Sequence, residues 1–324
     1  MTSGRPGSAV LAEVRRSGFV EGVHRGSAVV LDPQGRVRAS WGDPDRPIFP
    51  RSAVKPVQAV AMLRLGLDLD GPLLALAAAS HSGESFHLLG VLQILADAGL
   101  GPDALQTPPE MPFDPQERDE RVREGLPPDP LVMNCSGKHA AMLATCVRNG
   151  WDVGTYRHPD HPLQQAIAAE IARAAGESVA AVGVDGCGAP VLAVSLTGLA
   201  RAFRSVAVGE PGTPERRVAD AMLGYPQWAA GTRRDATALM VGVPGLLAKE
   251  GAEAVYAVAL PDRTTVAVKV DDGGARARPV VMATLLRTLG VGAPVVDEQA
   301  ELVLTGGGQP VGAVVGAPAL SVLP

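Results

Sequence analysis

Lysine is nearly missing from this chain: of 29 basic residues only Lys55, Lys138, Lys249 and Lys269 are lysines, and the rest are arginines. Arginine serves as the everyday surface cation, so a retained lysine points to a place that needs an amine able to become neutral near pH 7, which a guanidinium cannot do. Cysteine is scarce too, with three in all. An odd count, with no apolar run of about 7 to 15 residues near the N-terminus to act as a secretory signal, predicts reduced thiols in a cytoplasm rather than a disulfide framework. No apolar stretch approaches the ~18 residues that a membrane span needs. Basic clusters, an arginine-rich tail and interleaved aromatics are lacking and the net charge is −5, which argues against a nucleic-acid partner. With aromatics at only 3%, alanine, valine and leucine must fill the core.

What is present suffices for a large core: 324 residues, 46% of them hydrophobic, can bury roughly three quarters of the unfolded surface. Residues 1–16 read as a flexible tail and 17–324 as one domain. Residues 27–40 predict a β-hairpin turning at Asp32-Pro33-Gln34-Gly35, and 255–270 a second one turning at Pro261-Asp262-Arg263. Helical texture covers 52–67, 84–98, 138–148, 162–175, 190–204, 213–223, 235–248 and 276–289, and 310–317 reads as a last strand. Residues 101–130, rich in proline and charge, read as a long surface connection. Strands thus cluster at both ends of the chain with helices between them. The expected fold is α/β (α+β): an antiparallel sheet built from N- and C-terminal strands, packed by helices, with a helical lobe inserted at roughly 75–235.

Arg51-Ser52-Ala53-Val54-Lys55-Pro56 lies where the strand texture gives way to helix. Residues three apart share a helix face, so the Ser52 hydroxyl and Lys55 amine can meet at a helix start, and Pro56 is tolerated in the first turn. A Ser-x-x-Lys match is weak by itself, because it arises by chance in many chains. Cys135 and Cys187 each sit beside glycine in loop-like sequence, a candidate metal pair, whereas Cys146 lies in a helical apolar run and reads as a core thiol. By spacing His139 would be the commoner third zinc donor. Lys249, before Glu250 and Gly251, reads as an ordinary helix C-terminus, and His161 as a structural histidine.

Four stretches taken together, Arg51-Ser52-x-x-Lys55-Pro56, Ala79-Ser80-His81-Ser82-Gly83-Glu84, Asn134-Cys135-Ser136-Gly137-Lys138-His139 and Asp185-Gly186-Cys187, resemble the asparaginase II family, the rhizobial-type L-asparaginases. His158-Pro159-Asp160-His161-Pro162-Leu163-Gln164 and the stretch from Lys269 to Gly273 also look like that family, and the likeness runs from about residue 18 to the end. The resemblance implies a serine β-lactamase-like fold and L-asparaginase activity through two Ser-Lys pairs, Ser52 with Lys55 and Ser80 with Lys269. It also implies a zinc ion on Cys135, Lys138 and Cys187, a homodimer, and a substrate role for Asp185. Arg51 is a second candidate for the charged ends of an amino-acid substrate, with His139 beside them. Two amines crowded together cannot both stay charged, and the neutral one can take a proton from serine. No Lys-Thr-Gly sequence follows Lys269, which weakens a β-lactam-directed reading. The rivals are a glutaminase or another amidase or esterase using the same serine, and a zinc-stabilised binding module without catalysis.

Overall fold

A computed structural model describes residues 7–323. The strands are β1 (Ala9–Arg16), β2 (Phe19–Leu31), β3 (Val37–Trp41), β4 (Pro47–Ile48), β5 (Ala181–Val184), β6 (Pro190–Ser195), β7 (Leu247–Gly251), β8 (Val255–Ala259), β9 (Thr265–Val270), β10 (Glu301–Gly306) and β11 (Gln309–Gly316). Seven of them form an antiparallel sheet in the order β10-β11-β1-β2-β9-β8-β7, with β3 also paired to β2. N- and C-terminal strands therefore interleave, as the clustering of strand texture at both ends of the chain predicts. A second, small sheet joins β4, β6 and β5.

The helices are α1 (Lys55–Arg64), α2 (Gly71–Ala77), α3 (Ser85–Asp97), α4 (Pro115–Arg123), α5 (Ser136–Asn149), α6 (Pro162–Ala175), α7 (Leu196–Ala207), α8 (Pro214–Gly224), α9 (Pro226–Ala229), α10 (Asp235–Gly242), α11 (Ala277–Thr288) and α12 (Pro294–Gln299). Helix α7 packs on β2, β8 and β9, while α11 packs on β9 and β11. Burial of Val29, Val258, Val268, Leu199, Phe203 and Leu285 marks the core between these layers. Two glycine-ended helices stop cleanly, because Gly150 and Gly176 adopt the left-handed cap that costs glycine nothing.

Three expectations need correction. Residues 9–16 are not a tail: β1 pairs with both β2 and β11 and buries Leu11, Ala12 and Val14; residues 1–6 lie outside the described residues. The run 190–204 opens with strand β6, buried at all six positions, before α7 begins. Helical texture over 235–248 ends with α10 at Gly242, and Lys249 lies on strand β7 rather than at a helix end. In both latter cases a strand buried on two faces shows no alternation, so its apolar run is indistinguishable from helix by pattern. Helix α4 and the short β10 also lie in stretches read as loop or left unassigned.

Candidate active site

Ser52 sits in a single 3-10 turn, Arg51–Val54, that runs directly into α1 with Pro56 in the first helical turn. Arg51 before it has φ 51°, a left-handed conformation costly for a residue with a Cβ and often found where a side chain must be aimed into a site. Strand β7 is the last strand of the sheet, and its outer edge passes the same turn. A Cβ on Gly251 would come within 2.7 Å of the Pro50 carbonyl oxygen and 3.0 Å of the Ala53 nitrogen. Glycine is required there for the strand and the turn to lie so close.

Lys55 is 2% exposed. Its amine donates to the Ala79 carbonyl at 2.6 Å, the Ser80 hydroxyl at 2.9 Å and the Cys135 sulfur at 3.0 Å. Ser52 and Ser80 line one small cavity of about 130 Å³, together with Asn134, Phe113, Arg234 and Arg278. The structure therefore brings Ser52, Lys55 and Ser80 to one place. It does not join Lys269 to them: on β9, two strands from β7, its amine donates to the carbonyls of Glu253 at 2.5 Å and Val270 at 2.8 Å. Lys269 lines a different cavity, of about 470 Å³, with Phe49, Arg51, Glu253 and Asp271.

The second amine beside this site belongs to Lys249. It is fully buried, 3.0 Å from the Glu250 carbonyl oxygen and 3.3 Å from its carboxylate. Burial lowers its pKa to about 8, the Glu250 charge opposes this, and the Lys55 charge lowers it further. Glu250 in turn accepts from Arg234 at 2.5 Å, and burial, which would raise its pKa, is outweighed by Lys249, Arg234 and Arg278, leaving it at about 2. The scarcity of lysine flags Lys249 as strongly as Lys55; the wrong element assignment hid it.

The thiols meet at the N-terminus of α5. Cys135 precedes the helix, Lys138 and His139 fall in its first turn, and Cys187 is carried in on the turn between β5 and β6, closed by a Gly188 to Asp185 hydrogen bond. The Lys138 amine lies 3.3 Å from the Cys187 sulfur. A hydrogen bond from Cys135 holds the Cys187 thiol far below its usual pKa against the cost of burial, helped by the Lys138 charge and by His139. Cys135 is pushed up, first by that hydrogen bond and then by burial. Burial disfavours charge on Lys138, but Cys187, Cys135 and Asp185 outweigh it and raise its pKa.

Among the described residues no three side chains of the histidine, cysteine, aspartate and glutamate types gather as metal ligands. Two convergent sulfurs and the Lys138 amine nevertheless make a closed donor set suited to a soft divalent cation. His139 stands beside this group: its Nδ1 lies 2.7 Å from the Tyr156 hydroxyl, and burial lowers its pKa to about 4 against the pull of the neighbouring Cys187 sulfur. Arg51 and Asp185 are joined to each other, Nε to Oδ1 at 2.7 Å. His161 caps α6 through the Leu163 N–H, and Cys146 is a buried core thiol, as expected.

The sequence model of the family described as L-asparaginase II matches residues 12–316. A comparison with curated proteins finds no match. Among solved structures the chain is similar to a β-lactamase from Mycobacterium bovis, at 15% identity and a TM-score of 0.44 over 81% of this chain and 94% of that one. It is also similar to Mglu in its native form, at 16% identity and a TM-score of 0.36 over 87% of this chain and 66% of that one. A third is EstCE1, a hydrolase with promiscuous acyltransferase activity, at 13% identity and a TM-score of 0.37 over 82% and 90%. No helix among the described residues is long and apolar enough to cross a membrane.

Proposed function

Because the chain belongs to the L-asparaginase II family and is a hydrolase, we propose that it hydrolyses the side-chain amide of L-asparagine to aspartate and ammonia, with Ser52 as nucleophile. The observation that supports this most is the shared cavity of Ser52 and Ser80 with the buried Lys55 amine 2.9 Å from the Ser80 hydroxyl. Ser52 is part-exposed toward that cavity, whereas Ser80 is 6% exposed, so Ser52 is the serine that an amide can reach.

Ser52 Oγ bonds to the amide carbon as its proton passes, by way of the Ser80 hydroxyl, into the amine pair of Lys55 and Lys249. A neutral nitrogen is needed to receive it. Burial and the neighbouring ammonium lower the pKa of Lys249 to about 8, near the range where a neutral amine is present. The Ser52 N–H and the outer edge of β7 offer backbone donors to the oxyanion. The proton returns to the departing nitrogen, ammonia leaves, and water cleaves the aspartyl ester to restore Ser52 Oγ–H. Lys249 takes the part that the resemblance gives to Lys269.

Cys135, Cys187 and Lys138 would hold a zinc ion. When bound, it supplies a positive charge at the edge of the site that orients a polar substrate. Binding requires the neutral form of Lys138 and both thiolates, so protons must leave Lys138 and any thiol that still carries one.

The test is ammonia release from L-asparagine by purified protein, run beside L-glutamine and p-nitrophenyl acetate. Asparagine is expected to be the best amide. Turnover of the ester alone would make the chain an esterase, and no turnover of any of them with zinc bound would favour a binding module.

A further inference from the structure

Arg278 makes one side-chain hydrogen bond among the described residues. Its Nη2 donates to Asp235 at 2.7 Å, its guanidinium lies 5.2 Å from the Tyr256 ring centre, and its Nε is buried with no hydrogen-bond partner among the described residues. A guanidinium carries five N–H donors in a planar fork, and leaving a buried one unpaired is costly. This side chain, 13% exposed, lines the cavity that holds Ser52 and Ser80.

Arg234 lines the same wall. It is anchored by Glu250 at 2.5 Å and lies over the Phe113 ring at 4.3 Å, while its Nη1 donates to the Ser80 carbonyl at 3.3 Å. Two guanidinium groups thus line a cavity of about 130 Å³ that Ser52 and Ser80 also line. Arg51 lines a different cavity, of about 470 Å³.

We propose that Arg278, with Arg234 beside it, is the carboxylate clamp of this site, the group that sets how the carboxylate end of the amide is held. The proposal rests on the reading of Ser52 as an amidase nucleophile. A carboxylate accepts from a guanidinium fork through both oxygens, which fixes the distance from the clamp to the amide carbon. Neutral amides of the same length enter without that register.

Two measurements test it separately from the amidase reading. The first compares L-asparagine with 3-aminopropanamide, the same molecule without its carboxylate. Wild type is expected to favour asparagine by about 100-fold in kcat/KM. R278Q and R278K are both expected to narrow that ratio below about 10-fold, chiefly through KM, R278K because an ammonium cannot reproduce the fork. The second reads binding without turnover: L-aspartate raises the melting temperature of the wild type, and the rise is lost in R278Q. R278K keeps a charge opposite Asp235 and serves if R278Q fails to fold. A wild type that ignores aspartate, or an R278 variant that keeps either the full preference or the full thermal shift, overturns the clamp. Inactivity toward every amide together with an Arg278-dependent aspartate shift would sink the amidase reading and leave the clamp standing.

Discussion

Lys249 and Lys138 are both buried amines, and they are driven in opposite directions. Around Lys249 the partners are carbonyl oxygen, one carboxylate already held by Arg234, and another ammonium, so burial prevails and the pKa falls to about 8. Around Lys138 the partners are the thiols of Cys187 and Cys135 and the Asp185 carboxylate, and its pKa rises despite comparable burial. Burial alone says only that charge is expensive; the neighbours decide whether it is kept. One pocket favours a neutral amine, the other a charged one.

The contrast breaks most easily at the serine. Ser52→Ala should lower asparagine turnover by about 1,000-fold or more, with the fold intact by circular dichroism and melting, because Ser52 is the more exposed of the two serines that line the cavity. Next comes the choice of lysine. Lys249→Met should lower kcat by on the order of 100-fold or more, the usual weight of a general base, whereas Lys269→Met should change it less than about 3-fold; the reverse order would return the role to β9.

The pH dependence sharpens the same point. kcat/KM should rise through a limb near pH 8 as Lys249 discharges, in line with its lowered pKa of about 8. Stability follows with a definite sign. The unfolded lysine holds its proton up to its ordinary pKa of 10.5 while the folded one releases it near 8, so the unfolded chain binds more protons between those values and this group makes stability rise with pH across that window. Lys249→Met should remove that rise, seen as a flatter difference in unfolding free energy between pH 8 and 10.5 in urea titrations.

A smaller effect is expected at the thiols. Cys187→Ser should cut bound zinc per chain by more than half, measured by elemental analysis, and lower the melting temperature by several degrees, since Lys138 then loses its strongest partner. Retention of full zinc in that variant would move the site elsewhere.

Much of this was legible before any coordinates. The two hairpins are announced by their turn tetrads, α6 by its apolar period and closing glycine, and the Ser52 helix start by Pro56. Rarity of lysine pointed to Lys55 and Lys138, but Lys249, equally rare, reads in the sequence as a helix end. What stayed hidden has one physical origin. β6 and β7 are short strands buried on both faces, so they carry no alternation, and Lys249 inherited the helical texture of α10. A stop was nonetheless written at Gly242-Val243-Pro244-Gly245, where proline and glycine cannot continue a helix. The pairing of Arg51 with Asp185 and the cavity face of Arg278 depend on contacts across more than a hundred residues, which no local pattern encodes.

The closeness of Gly251 to Pro50 ties the serine turn to the sheet. A Cβ at position 251 would meet the Pro50 oxygen at 2.7 Å and the Ala53 nitrogen at 3.0 Å, so a larger residue there would have to lift the Ser52 turn off β7 and distort the cavity that Ser52 and Gly251 both line.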